Sequence, residues 1–304
     1  MLIQPKPVRP GDCIRIVGVS GAVRQSMGQS VEEAAGRIEA LGFRVQVDAS
    51  AYARYGYLSG TDAQRADALM RAFTDPGVDA VLCIKGGYGT PRILDRLDYA
   101  AIRGSGRAFI GYSDITALHA AIAQRSALCT YHGPMPISES LGEDEATRNS
   151  FLRALSGESG PLRNPDGAPL CRLRGGKACG ELVGGNLSLI AALMGTPYEL
   201  NTRGRILFLE DIGEKTYSVD RMLTQLRLSG KLDACAGIVL GQFTDCAVEF
   251  ASYGLTLEEV FSDLLPSRVP AVRGLMAGHC SPNLTLPLGR TCALDADAGT
   301  LSVL

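Results

Sequence analysis

The chain has 304 residues, 46% of them hydrophobic and 20% charged, with a formal net charge of −2 at pH 7. That length holds two domains at the usual ~100–200 residues each, and the composition is that of an ordinary globular protein. The near-balanced charge gives no global attraction to nucleic acid or anionic membrane, so neither is expected as a partner.

The opening stretch MLIQPKPVRPGD carries prolines and charges where a signal peptide would carry its apolar core, which makes the cytoplasm the expected location. No apolar run anywhere approaches the ~20 residues needed to span a bilayer. CIRIVGVS (13–20) predicts a first strand. Ser30-Val31-Glu32-Glu33 has the form of a capping box opening a helix that runs to Leu41, and Gly42 closes it. FRVQVD (43–48) reads as a second strand, and Thr61 to Phe73 as a second helix ending at Asp75-Pro76-Gly77. AVLCI (80–84) is uniformly apolar, as a strand covered on both faces should be. RAFIGY (107–112), a helix over 114–125 and LCTYH (128–132) continue the rhythm. Strands alternating with helices imply parallel βαβ units, hence an α/β fold with a doubly wound parallel sheet.

Residues 156–176 are rich in Gly, Pro, Ser and charge and read as a linker between an N-terminal domain over 1–155 and a C-terminal domain over 177–304. The second half carries helix 186–194, strand RILFLED (205–211), helix 218–228, strand GIVLGQF (237–243) and helix 256–264. Short strands with turn signals then run to the final TLSVL, giving a second α/β domain with a β-rich tail. The nine cysteines include no C-x-x-C pair and lie mostly in apolar segments, so they read as reduced core residues.

Candidate chemistry starts at FIGYSDIT (109–116), where Ser113 stands between a strand and a helix. A nucleophile elbow needs a serine there, because the turn exposes Oγ and leaves the next backbone N–H free for an oxyanion. The pattern G-x-S-x-G is incomplete, since Gly111 is present but position 115 is Ile. Serine is also a favoured helix cap. Three histidines can serve as a base. His119 lies six residues beyond Ser113 on another helix face and reads as a packing or solvent-facing residue. His132 ends a strand at the sheet edge that hosts ligands in open α/β folds, which makes it a substrate-contact candidate. His279, in the loop MAGHCSPN, is the best base candidate. Glu210, directly after the apolar run of RILFLED, is the best orienting carboxylate, with Asp211 beside it. KGGYG (85–89) follows a strand, and its glycines let backbone N–H groups face a ligand, either as a phosphate cradle or as half of an oxyanion hole. It lacks the Walker spacing. Gly86 and Tyr88 of this turn join His132 as substrate-contact candidates. With no H-x-x-x-H and no paired Cys, neither a metal nor another cofactor is expected.

Taken in order, KGGYG, FIGYSDITALHAA, GGNLSLIAALMGTPYE, LFLEDIGEKTYSVDRMLTQL and GLMAGHCSPNLTLPLG resemble the LD-carboxypeptidases, the muramoyltetrapeptide carboxypeptidase family of serine peptidases that also includes the microcin C self-immunity proteins. The resemblance spans nearly the whole chain. It implies a Ser–His–Glu triad of Ser113, His279 and Glu210, with an oxyanion hole from the backbone N–H groups of Gly87 and Asp114. It also implies an N-terminal flavodoxin-like domain, a smaller C-terminal α/β domain with β-barrel character, and a homodimer with the triad assembled between the domains. The activity implied is release of the terminal D-alanine from muropeptide tetrapeptides in peptidoglycan recycling, so the expected partner is a small peptide. Where many relatives carry Arg, this chain has Lys85. The alternative is a microcin-type peptidase acting on peptidyl or aminoacyl adenylates with the same triad. Better-known members of that type stack the nucleobase on Trp, and this chain has none. A non-catalytic flavodoxin-like binding module is the third reading.

Overall fold

The computed structural model describes residues 2–24, 28–246 and 254–304. It divides into two compact units, one of Met1–Glu158 with Ser281–Pro287, the other of Ser159–Cys280 with Leu288–Leu304.

In the first unit, β1 (Cys13–Val17), β2 (Arg44–Val47), β3 (Ala80–Cys83), β4 (Ala108–Gly111) and β5 (Thr130–His132) form a sheet in the order β2-β1-β3-β4-β5, with the strand Leu286–Leu288 beside β5. All pairs among the first five are parallel. This is the flavodoxin-like order, in which ligands collect beyond the strand C-termini where the winding reverses, between β1 and β3. Val17 pairs with Cys83 and Leu82 with Ile110, so the segments leaving β1, β3 and β4 emerge together at that edge. Every residue of β3 and β4 is buried, as uniformly apolar strands between two helical layers must be.

Helices α1 (Val31–Glu39), α2 (Asp62–Thr74), α3 (Tyr99–Ser105), α4 (Thr116–Arg125), α5 (Glu139–Glu143) and α6 (Glu145–Leu155) belong to this unit. At α1 only half of the expected capping box forms. Ser30 Oγ accepts from Glu33 N–H at 3.2 Å, but the Glu33 carboxylate turns to Arg37 one turn on. The complete box is at α2, between Thr61 and Gln64. Three helices, α3, α5 and α6, have no counterpart in the sequence reading; α6 buries Thr147, Phe151 and Leu155, a four-residue repeat whose first member is polar.

The second unit holds β6 (Gly160–Leu162), β7 (Cys171–Arg174), β8 (Lys177–Asn186), β9 (Ile206–Ile212), β10 (Gly237–Thr244) and β11 (Ala271–Arg273). After β12 (Leu286–Leu288), the strand already placed beside β5, come β13 (Thr291–Asp295) and β14 (Thr300–Val303). Their order is β6-β14-β13-β8-β9-β10-β11-β7, parallel from β8 to β11 and antiparallel outside. Helices α7 (Leu187–Ala192), α8 (Thr216–Leu228) and α9 (Leu257–Leu264) connect the parallel strands. The segment 156–176, expected as a linker, instead carries β6 and β7, the two edge strands of this sheet. An edge strand pairs on one side only, so it tolerates Pro161 and the polar CRLR composition that made the segment look unstructured. Among the described residues no helix is long and apolar enough to cross a membrane.

Candidate active site

β4 ends at Gly111, and the chain then makes a tight 3-10 turn over Ser113–Ile115 before α4 begins. Ser113 has φ 65°, a left-handed conformation that a residue with a side chain adopts only when its surroundings impose it. The turn's N-cap is Tyr112, and no side chain among the described residues caps it, so Ser113 is not acting as the helix cap its residue type suggested. Gly111 is required by Ile115, because a Cβ there would lie 2.9 Å from the Ile115 Cγ atoms. The carbonyl of Gly111 accepts hydrogen bonds from Gly133 N–H at 3.1 Å and from His119 Nε2–H at 2.8 Å.

His119 is therefore a core residue. With Nε2–H donated to a carbonyl, its Nδ1 accepts from the Thr130 hydroxyl at 2.9 Å, and burial pushes its pKa down to about 4. His132 ends β5 as expected but has no exposed surface; its ring lies 5.9 Å from that of Tyr112.

The glycine turn leaves β3 and comes against Ser113. A Cβ on Gly86 would stand 3.0 Å from Ser113 Cβ and 3.1 Å from its Oγ, so only glycine leaves the hydroxyl its space. Gly87 has φ 124°, which also demands glycine. Tyr88 is exposed, with its ring 5.9 Å from that of Tyr57. Lys85 turns away from the glycines to donate to Ala22 O and Gln29 Oε1, both at 3.2 Å, and burial lowers its pKa, helped by Arg24. The Asp114 side chain was not singled out by sequence reasoning, yet it is buried and accepts hydrogen bonds from Ser20 Oγ and Thr90 N–H.

In the second unit, β9 presents two successive carboxylates to opposite sides, and both are buried. Glu210 Oε2 accepts from His279 Nδ1–H at 2.7 Å. Because Nδ1 carries that proton, Nε2 is the basic nitrogen of the ring. Gly278, immediately before the histidine, has φ 106°, and a Cβ there would lie 2.7 Å from Glu210 Cγ. On the other side, Thr244 Oγ1–H donates to His279 O at 2.5 Å. Asp211 serves a different corner, accepting from Asn186 Nδ2, Ser188 N–H and Ile212 N–H, each at 2.9 Å. Burial nevertheless pushes its pKa up to about 6, with the Glu210 charge adding to the rise.

Among the expected residues, Gly86, Gly87, Ser113 and Asp114 thus gather in the first unit, and Glu210 pairs with His279 in the second. A buried carboxylate bound to imidazole Nδ1 is the arrangement that orients a general base and stabilises its protonated form. Among the described residues no three His, Cys, Asp or Glu side chains cluster as a metal site.

Residues 14–133 match the LD-carboxypeptidase N-terminal domain, and residues 179–294 match the LD-carboxypeptidase C-terminal domain. The chain is 41% identical over 296 residues to the probable murein peptide carboxypeptidase of Bacillus subtilis, covering 96% of this chain and 91% of that protein. A muramoyltetrapeptide carboxypeptidase from Oxalobacter formigenes has a crystal structure similar at TM-score 0.82 and 32% identity, over 96% of this chain and 97% of that one. The structure of MccF in complex with glutamyl sulfamoyl guanosine is similar at TM-score 0.90 and 26% identity, over 99% and 98%. A non-catalytic binding module is set aside by these matches. The chain belongs to the LD-carboxypeptidase family and is an enzyme of the serine carboxypeptidase type.

Proposed function

We propose that this enzyme hydrolyses the L,D-peptide bond that holds the terminal D-alanine of a muropeptide tetrapeptide. The observation that carries the reading is the 2.7 Å bond between fully buried Glu210 and His279 Nδ1. His279 Nε2 takes the proton of Ser113 Oγ as that oxygen bonds to the scissile carbonyl carbon. The negative charge forming on the carbonyl oxygen is met by the N–H groups of Gly87 and Asp114, each worth about 3 kcal/mol of barrier. Collapse breaks the C–N bond, and His279 gives its proton to the departing amine of D-alanine. Water then attacks the acyl-enzyme with the same histidine as base, releasing the shortened peptide and restoring Ser113. Gly86 and exposed Tyr88 contact the substrate. The left-handed Ser113 and the glycine turn against its hydroxyl support these assignments.

The choice of a murein peptide as substrate rests on the names of the Bacillus and Oxalobacter relatives. A homodimer acting in cytoplasmic peptidoglycan recycling belongs to the same proposal and rests on the family resemblance. The likeness to MccF favours a second reading, in which the same triad cleaves peptidyl or aminoacyl adenylates. Ser113→Ala is expected to fold normally and to abolish D-alanine release from a tetrapeptide; near wild-type activity overturns the nucleophile. Turnover of the tetrapeptide against an aminoacyl-sulfamoyl nucleoside separates the two substrates.

A further inference from the structure

The Gly86–Gly87 peptide is held by no side chain of its own, and glycine peptides are the freest in the chain. A planar trans peptide points its C=O and N–H in opposite directions, so whatever fixes Gly86 C=O also fixes Gly87 N–H. Gly86 O accepts from Gly21 N–H at 3.2 Å. Gly21 follows Ser20, which is fully buried and donates its hydroxyl to Asp114 Oδ2 at 2.6 Å. The same Oδ2 accepts from Thr90 N–H at 2.9 Å, and Thr90 Oγ1–H donates to the Asp114 carbonyl at 2.5 Å. The segment that holds Gly86 O and the residue that follows the glycine turn are therefore both tied to the residue beside Ser113.

A second buried charge grips the same two segments from their carbonyl side. Arg65 is fully buried, and its Nη1 donates to Val19 O at 2.7 Å and to Gly89 O at 2.8 Å. Its Nη2 is held by Asp62 at 2.6 Å, which in turn pairs with Arg92. Residues 19–20 and 89–90 are thus caught between an anion that takes their donors and a cation that takes their acceptors. Charge-assisted bonds in a dry interior are the strong ones, and losing one leaves a costly unpaired group.

We propose that Asp114, through its carboxylate, acts with Ser20 and Arg65 as a set of positioning residues that aims Gly87 N–H before substrate arrives. The proposal deepens the reading of Gly87 as an oxyanion donor and rests on it. Preorganised donors need no reorganisation during the reaction, so loosening them raises the barrier without weakening ground-state binding.

The test is Ser20→Ala, read by kcat and KM on a tetrapeptide, by inhibition with the corresponding tripeptide aldehyde, and by binding of the product tripeptide. The aldehyde adds Ser113 and places an oxygen among the oxyanion donors, whereas the product does not. Expected are a fall in kcat of about tenfold or more and a matching loss of aldehyde affinity, with KM and tripeptide binding within about twofold. If Ser20→Ala does not fold, Asp114→Asn, which keeps the shape and one acceptor oxygen, carries the same comparison. Unchanged kcat and aldehyde affinity overturn the proposal, as does a parallel loss of tripeptide binding, which would mark a general loosening. Ser113→Ala run alongside separates the two levels: if it stays active, the underlying mechanism fails instead.

Discussion

Glu210 Oε2 receives two hydrogen bonds from one residue, the ring Nδ1–H of His279 at 2.7 Å and its backbone N–H at 3.2 Å. One carboxylate oxygen thus fixes both the ring and the loop that carries it. The other oxygen, Oε1, is buried and has no partner among the described residues. Among the described residues the side chain is committed to the histidine.

Glu210→Gln keeps the shape and removes the charge. To accept both bonds, the amide oxygen must take the place of Oε2, which puts the NH2 group where Oε1 has no hydrogen-bond partner among the described residues. The protonated imidazole also loses its counter-charge. We expect kcat to fall by about 10²–10⁴ with KM little changed, measured by steady-state D-alanine release. A fall of less than about threefold would remove Glu210 from the mechanism.

Gly278→Ala tests the approach of the loop to the carboxylate. The new methyl meets Glu210 Cγ at 2.7 Å and Cδ at 2.8 Å, in addition to the strain of φ 106°. Gly274→Ala is the matched control, since Gly274 has φ 91° and, among the described residues, nothing lies within 4 Å of an added Cβ. The control should lose about 1 kcal/mol of stability and keep its activity. Gly278→Ala should lose about 2–4 kcal/mol and most of its kcat. Equal effects in thermal unfolding and kinetics would mean that the Glu210 contact does not matter.

His119 makes the first unit sensitive to acid. Its folded pKa of about 4 lies below the ordinary 6.5, so between those values the unfolded chain binds the extra proton. The stability this group contributes is complete above pH 6.5 and is lost as pH falls towards 4, a change of about 3 kcal/mol. His119→Gln can still donate to Gly111 O but cannot titrate. Urea unfolding at pH 7 and pH 4 should therefore show the variant losing less stability than the wild type, by about that amount. Identical losses would show that the histidine does not titrate across this window.

The strands around the first site were legible because contiguous apolar runs such as AVLC and AFIG have few other places to go. Edge strands were not, since β6 and β7 need only one hydrogen-bonded side and no apolar face. At the site, residue type and position against the strand ends suffice to nominate Ser113, Glu210 and His279. They rank Glu210 ahead of Asp211 by its place directly after the apolar run, but they do not show the different partners of these adjacent, acidic and buried residues. What separates them is the face of β9 each occupies, and that depends on partners 69 and 25 residues away along the chain. Arg65 was invisible for the same reason. In DAQRADALMRAFT it looks like an ordinary helix-surface cation, but its acceptors are backbone carbonyls 46 and 24 residues distant.

Ile115 and Gly111 change what a search pattern for this kind of serine should demand. The glycine two residues before Ser113 is needed because the bulky residue two positions after it folds back to cover that strand end. Space at the turn is left open on one side and filled on the other. A motif scan that insists on small residues at both positions would discard this chain at its first step. One that asks for glycine before the serine and an apolar, space-filling residue after it would keep it.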